Sequence, residues 1–352
     1  MSDWNDFIAQ ASTSENLEGS TNAGKAVCES SVEFDDTGLM LDKNYVMLLP
    51  QGILSVTGPD AAKFLQGQVT CDVRELADDK SLLGAQCNIK GRMLLCFRAL
   101  QANEEQILLR VHQGLVSHGL ASLGKYIVFS KAKLADATQD YYCVGVAGPH
   151  AAHIIKDVFD VDITENGNWK ASGNHKIIRI EEHRYECWLT AGDAEKMWLQ
   201  LKDHTHCAHH NLWILLNIRA GIGDITPETY ETFTPQAINF QLVNGINFRK
   251  GCYTGQEIVA RLHYRGTLKR HMYRFEFALN NSPVPPPGSS LLNEDGKSVG
   301  EIILAAPKST SAGELLASVA DDERVAIYLA NNPQKLSLLS LPYAIPTPNE
   351  AD

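Results

Sequence analysis

Apolar residues along this chain recur at two spacings, every second residue and every third or fourth, and the changes of spacing mark its elements. Over 45–56 the pattern predicts one or two short strands, and Thr57-Gly58-Pro59-Asp60 then gives a turn with Asp60 as the N-cap of a short helix that Gly67 ends. Residues 81–88 and 93–100 flank Ile89-Lys90-Gly91-Arg92, a Gly-containing loop of hairpin length, and 106–111 adds a third strand. Leu115, Leu120 and Leu123 predict a helix over 114–126, after which 127–130 regains strand character. A strand over 141–146 leads into a helix with Pro149 at its first position, running to Phe159. A second hairpin spans 175–180 and 185–189, and helices follow over 193–203 and 212–220. From 268 the texture changes to short strands (268–279, 289–292, 298–305, 314–319 and 324–329) separated by turn clusters and the proline run 283–287. The order predicts an α+β chain with two units of ferredoxin-like character followed by a small all-β unit, not a doubly wound parallel sheet.

Composition narrows the class. The chain has 352 residues, 44% hydrophobic and 21% charged, and carries no long apolar run, which places it among globular chains with room for two or three domains. A net charge of −11 argues against broad coating of nucleic acid and leaves room for a local basic site. Residues 1–38 are acidic and rich in Ser, Thr and Asn, without the cationic and apolar regions of a secretory signal, and are expected to form a disordered tail. Eight cysteines include no C-x-x-C pair, so a zinc ribbon or self-contained cluster site finds no support, and reduced thiols in a cytoplasmic protein are expected.

Candidate chemistry concentrates at Lys250-Gly251-Cys252-Tyr253-Thr254-Gly255-Gln256-Glu257. Thr254 and Glu257 have the spacing of a capping box, so a helix is expected to begin here with Ile258, Val259 and Leu262 on its apolar face. Cys252 would lie at the positive end of that helix beside Arg249 and Lys250, a setting that favours thiolate. Between 242 and 271 six Lys or Arg (249, 250, 261, 265, 269, 270) face one acid, Glu257, so an anion is the natural guest. The bland alternative is a small buried thiol beside a solvated basic face.

Three other features carry weaker signals. Gln66-Gly67-Gln68-Val69-Thr70 offers amide side chains that would suit the edge of a heterocycle or simply satisfy a turn. Trp213 offers a stacking face or a core side chain. His204-Thr205-His206-Cys207-Ala208-His209-His210 is rich in metal-binding groups, but no second cluster at finger spacing accompanies it, and a solvated loop between two helices is expected, with no metal.

The octapeptide at 250–257 resembles the signature of the YgfZ family, folate-binding relatives of the glycine-cleavage aminomethyltransferase, or T-protein. Phe233-Thr234-Pro235-Gln236-Ala237-Ile238-Asn239, Val259-Ala260-Arg261 with Arg265-Gly266, and Phe64-Leu65-Gln66-Gly67-Gln68-Val69-Thr70 resemble it in the same order, so the likeness runs from about 45 to Leu341-Pro342-Tyr343. The resemblance implies two intertwined units in a folate-binding domain over 43–265, after a tail over 1–42, and a C-terminal β-barrel over 266–345. It implies tetrahydrofolate as cofactor, with Trp213, Lys250, Gly251, Tyr253, Gln256, Glu257, Arg261, Arg265, Gln66 and Gln68 around it and Cys252 as the reactive or transiently ligating thiol. A role in assembly or repair of iron–sulfur clusters follows from the same resemblance, with a cluster-dependent radical tRNA methylthiotransferase as an indirect or transient partner. A second tryptophan that the family places near Gln51 is absent. The carboxylate that T-protein uses on the hairpin strand is absent too, since Lys90-Gly91-Arg92-Met93-Leu94-Leu95-Cys96 contains no acid, and without one aminomethyl transfer lacks its proton handler. Two alternatives remain: a folate-dependent one-carbon transferase with Cys252 as nucleophile, and an RNA-binding module, which the overall acidity disfavours.

Overall fold

The computed structural model describes residues 43–346, except 77–78, 265, 267, 280–281 and 331, and gives only the backbone of 332 and 333. The tail expected over 1–42 and Arg265 lie outside the described residues. The chain divides into two units, each assembled from separate stretches: the described residues up to Leu49 with Gln139–Trp213, and Pro50–Thr138 with Ile214 onward.

Numbered along the whole chain, the first unit holds β1 (Tyr45–Leu48), β7 (Tyr141–Ala147), β8 (Trp169–Ser172), β9 (His175–Glu181), β10 (Arg184–Thr190) and β11 (His206–Cys207), with helices α3 (Ala151–Phe159) and α4 (Ala194–Lys202). They form one sheet in the order β11-β1-β7-β10-β9-β8. The run β7-α3-β9-β10-α4-β11 is a βαββαβ unit, with β1 inserted between its first and last strands and β8 added at the edge. Alternation decides the faces. Val144, Val146, Tyr185, Cys187 and Leu189 point to one side, where Ile154, Ile155 and Phe159 of α3 and Met197, Trp198 and Leu201 of α4 complete a core.

The second unit repeats the plan. Its strands β2 (Gln51–Thr57), β3 (Leu82–Cys87), β4 (Met93–Asn103), β5 (Gln106–His112) and β6 (Lys133–Asp136), with α1 (Ala61–Gln66) and α2 (Val116–Ile127), give the sheet β3-β4-β5-β2-β6. Here β2-α1-β4-β5-α2-β6 is the βαββαβ run and β3 an extra edge strand. Beyond α5 (Asn211–Arg219) and α6 (Gln256–Tyr264) come β12 (Arg270–Ala278), β13 (Ser290–Leu292), β14 (Ser298–Pro307), β15 (Ala312–Ala320), β16 (Tyr328–Leu329), β17 (Asn332–Lys335) and β18 (Ser337–Leu339). These seven form a nearly closed, barrel-like antiparallel sheet around Phe275, Phe277, Leu291, Ile302, Leu315 and Val319. The predicted α+β class with two ferredoxin-like units and a C-terminal barrel therefore holds.

Several local expectations do not. Residues 127–130 form no strand: Ile127 closes α2 and the chain turns, leaving Val128 70% and Phe129 95% exposed, and the strand comes only at β6. Pro149 precedes α3 rather than opening it, because Gly148 and His150 turn the chain first and the helix begins at Ala151. Asp60 occupies the N-cap of α1, but its carboxylate accepts the Lys131 N–H at 2.8 Å instead of a helical one. The histidine-rich stretch is not wholly loop, since His206 and Cys207 pair in parallel with Tyr45 and Val46. Of the cysteines among the described residues, 71, 87, 96, 143, 187 and 252 are free thiols, whereas Cys207 is disulfide-bonded, so uniformly reduced thiols do not describe this chain.

Candidate functional site

In the second unit the loop that carries Cys252 is fastened by its neighbour Lys250. The lysine is 5% exposed, and its ammonium donates to the carbonyls of Gln66 at 2.8 Å, Val69 at 2.6 Å and Cys71 at 2.8 Å. Burial lowers its pKa to about 8. Three acceptors need three N–H donors, which the ammonium has and the neutral amine lacks, so the geometry selects the charged form. The Tyr253 ring lies with its centroid 5.1 Å from the same nitrogen, and burial pushes that phenol upward, keeping it neutral. Cys71 is also buried, its thiol pushed up to about 12, and stays protonated beside the lysine.

The loop over 66–72 is held from its other side as well. Gln66 donates to Asp72 at 3.0 Å and accepts the Val73 N–H at 2.8 Å. Asp72 receives the Arg74 guanidinium, chiefly for that reason its carboxyl falls to about 2, and the backbone N–H of Arg74 adds to the effect. Thr70 donates to the Gly245 carbonyl at 2.6 Å and accepts the Ala85 N–H at 2.8 Å, tying β3 to the chain that leads into 250.

Helix α6 begins at Gln256, one residue later than a cap at Thr254 requires; the Thr254 hydroxyl instead faces Gln68 Oε1 at 3.4 Å. Gly255 explains the shift. Its φ is +84°, and a Cβ there would lie 2.4 Å from the Asn88 carbonyl in the β3–β4 turn, so only glycine lets this loop pass the hairpin. Gly251 differs, since nothing lies within 4 Å of where its Cβ would stand. Val259 is fully buried on α6, and its carbonyl accepts from Gln236 at 2.6 Å. Between these fastenings Cys252 is exposed. Glu257 and Arg261 are exposed on α6, and the Phe248 ring stacks on His263 with centroids 3.7 Å apart. The result is an accessible thiol on a loop whose flanks have little freedom.

Trp213 belongs to the first unit, on the sheet face opposite its helices. Met47, Gly145 and Glu186 stand in register across β1, β7 and β10. A Cβ on Gly145 would lie 2.6 Å from the indole, so the absent side chain is the space the ring occupies. The Arg184 guanidinium sits 4.9 Å from the ring centroid, and Trp213 is 5% exposed, so one face of the expected stacking platform is already covered. Glu186 is fully buried and accepts the Trp188 indole N–H at 2.7 Å.

The structure thus brings Gln66, Gln68, Lys250, Tyr253 and Gln256 into one set of linked loops, leaves Gly251, Cys252, Glu257 and Arg261 exposed beside them, and packs Trp213, on α5, against the other unit's sheet. Glu186 and Arg184 escaped sequence reasoning because Arg184-Tyr185-Glu186-Cys187-Trp188 alternates like any half-exposed strand. Among the described residues no group of three or more His, Cys, Asp and Glu is arranged to hold a metal ion.

Residues 50–201 match the GCVT N-terminal domain. The glycine cleavage system aminomethyltransferase T of Bartonella henselae superposes with a TM-score of 0.68 at 18% identity, over 85% of this chain and 86% of that one, which establishes the shared fold. The tRNA-modifying protein YgfZ of Yersinia enterocolitica is 33% identical over 262 residues, 72% of this chain and 77% of its own. Its namesake from Photobacterium profundum is 32% identical over 302 residues, 84% of this chain and 89% of its own. With about a third of the aligned residues identical over most of both chains, this protein belongs to the YgfZ family.

Proposed function

We propose that this protein is a folate-binding accessory factor for the assembly or repair of iron–sulfur clusters, supporting tRNA methylthiolation by a cluster-dependent radical enzyme in the cytoplasm. What supports it most is the exposed Cys252 on a loop pinned by Lys250 and Gly255, in a chain whose relatives are named tRNA-modifying proteins. Sulfur is a soft ligand suited to iron, so the thiol can engage a cluster atom of a client protein as its substrate. Arg249 and Arg261 supply cationic surface that attracts anionic groups. Lys250 acts differently, because its protons are committed to backbone carbonyls: it positions the thiol loop rather than the ligand.

The Met47, Gly145 and Glu186 row fits a folate in its chemistry. The pyrimidine edge of a pterin carries adjacent N–H donors that a buried carboxylate accepts as a pair, and Trp213 gives its ring an aromatic neighbour. Bound tetrahydrofolate would supply one-carbon exchange; the protein's share is to orient it and exclude water. One observation favours a second reading, a one-carbon transferase: an accessible thiol is also what a nucleophile requires. Against it, Leu94 and Leu95 are buried on β4 where a proton-handling acid would be needed.

Calorimetric titration with tetrahydrofolate tests the folate part of the proposal. Glu186→Gln and Trp213→Ala are each expected to weaken binding at least about tenfold. No binding by the wild type would remove folate from the function. Turnover of a one-carbon donor by the purified protein would select the transferase.

A further inference from the structure

We infer that the mouth of the C-terminal barrel is a binding site for a small amphipathic anion, an apolar body bearing a carboxylate or sulfonate. This stands apart from the folate proposal and uses none of its residues. A cavity of about 430 Å³ opens there, within the size range of small-molecule sites, and barrel mouths are one of the places where such sites form.

The polar end is built from β12. His271 and Tyr273 continue the alternation of Phe275 and Phe277, so an apolar inner file ends in an imidazole and a phenol. Both are satisfied by one carboxylate: Asp321 Oδ1 lies 2.8 Å from His271 Nδ1 and accepts the Tyr273 hydroxyl at 2.9 Å. A carboxylate partner requires the proton on Nδ1, which leaves Nε2 for another group. Burial, with that hydrogen bond, pushes the phenol up to about 12, so Tyr273 adds no charge. Arg324 lies 5.7 Å from the Tyr273 ring centroid, hydrogen-bonds the Tyr273 side chain, donates to the Asp321 backbone carbonyl at 2.9 Å, and also lines the cavity. Asp321 Oδ1 thus takes both neighbours, and the Arg324 guanidinium, with five N–H donors, has more than its bond to the Asp321 carbonyl uses.

Apolar side chains complete the lining. Leu338, Leu341, Ile345 and Pro346 are among them, and Leu338 is 48% exposed although it stands beside Phe275 in the β12–β18 register. A half-exposed leucine and an arginine line one cavity together with an acid hydrogen-bonded to two ring side chains, so the surface has a charged part and an apolar part. Its complement is a molecule divided the same way.

Fluorescence titration with 8-anilino-1-naphthalenesulfonate tests this on the full chain, against the neutral analogue N-phenyl-1-naphthylamine. The sulfonate dye is expected to bind saturably with a stoichiometry of one, at least about tenfold tighter than the neutral dye. Arg324→Gln should lower its affinity about tenfold while leaving circular dichroism and the thermal midpoint unchanged, because Arg324 is exposed. Excess folinic acid should not displace it. Equal affinity for the two dyes, insensitivity to Arg324→Gln, or displacement by folinic acid would each overturn the assignment.

Discussion

Lys250 has three protons and three carbonyl partners, so its removal leaves three buried acceptors with nothing to accept. Lys250→Met keeps most of the stem's apolar volume, and the expected cost is roughly 2–4 kcal/mol, read as a lower urea midpoint with an unchanged slope. An unchanged midpoint would mean that water replaces the ammonium at no cost. Asp72 offers a test by pH. Its folded carboxyl sits at about 2 against an ordinary 3.8, so it stabilises the fold above pH 4, and that contribution disappears as pH falls from 4 through 2. In Asp72→Asn the acid limb of the stability curve should be shallower across this window; identical limbs would show that the Arg74 contact is lost to solvent. Neither task was visible in the sequence. Lys250 looked like a counter-charge for Cys252 because the two are nearly adjacent, while its real partners lie about 180 residues away. The Cys252 loop itself was legible, since glycine at 255 signals an unusual backbone and the structure gives it a positive φ.

At the scale of elements, hairpins were the most legible because a Gly-containing loop between two alternating runs leaves little choice of pairing. The β3–β4 pair follows from that signal, whereas the β9–β10 turn around Glu182-His183 holds no glycine and that pair follows from the alternation of its two strands alone. Short apolar runs misled: Ile127, Val128 and Phe129 have strand composition, yet they end a helix with no sheet position waiting for them. Strand β11 was invisible for the converse reason, as its two residues pair only because β1 supplies an edge. The passage of the 253–256 turn past the β3–β4 hairpin depends on the missing side chain at 255. Gly255→Ala should therefore cost about 1–3 kcal/mol or more and speed hydrogen exchange of the first α6 amides. Unchanged exchange there would show that the two turns can separate cheaply.

Across the whole molecule, one acid links a helix to the barrel-like sheet. Glu314 on β15 is 1% exposed and accepts from Arg219 at the end of α5 through one oxygen at 2.8 Å and from Arg274 on β12 through the other at 2.9 Å. Glu314→Gln leaves two guanidinium groups without their counter-charge, and a loss of roughly 3–5 kcal/mol is expected in thermal unfolding; a loss below about 1 kcal/mol would mark the triad as dispensable. Local signals could propose two α+β units, whereas their intertwining came only from the family resemblance, because the chain crosses between units at 139 and again at 214 and no short stretch encodes that. Function at this scale rests on whether the fastened thiol does chemistry. Mass spectrometry of methylthiolated tRNA in a strain lacking this protein, complemented by wild type or by Cys252→Ala, tests that most directly. Restoration by wild type alone, at equal protein levels, is the expected result; equal restoration by both would contradict it.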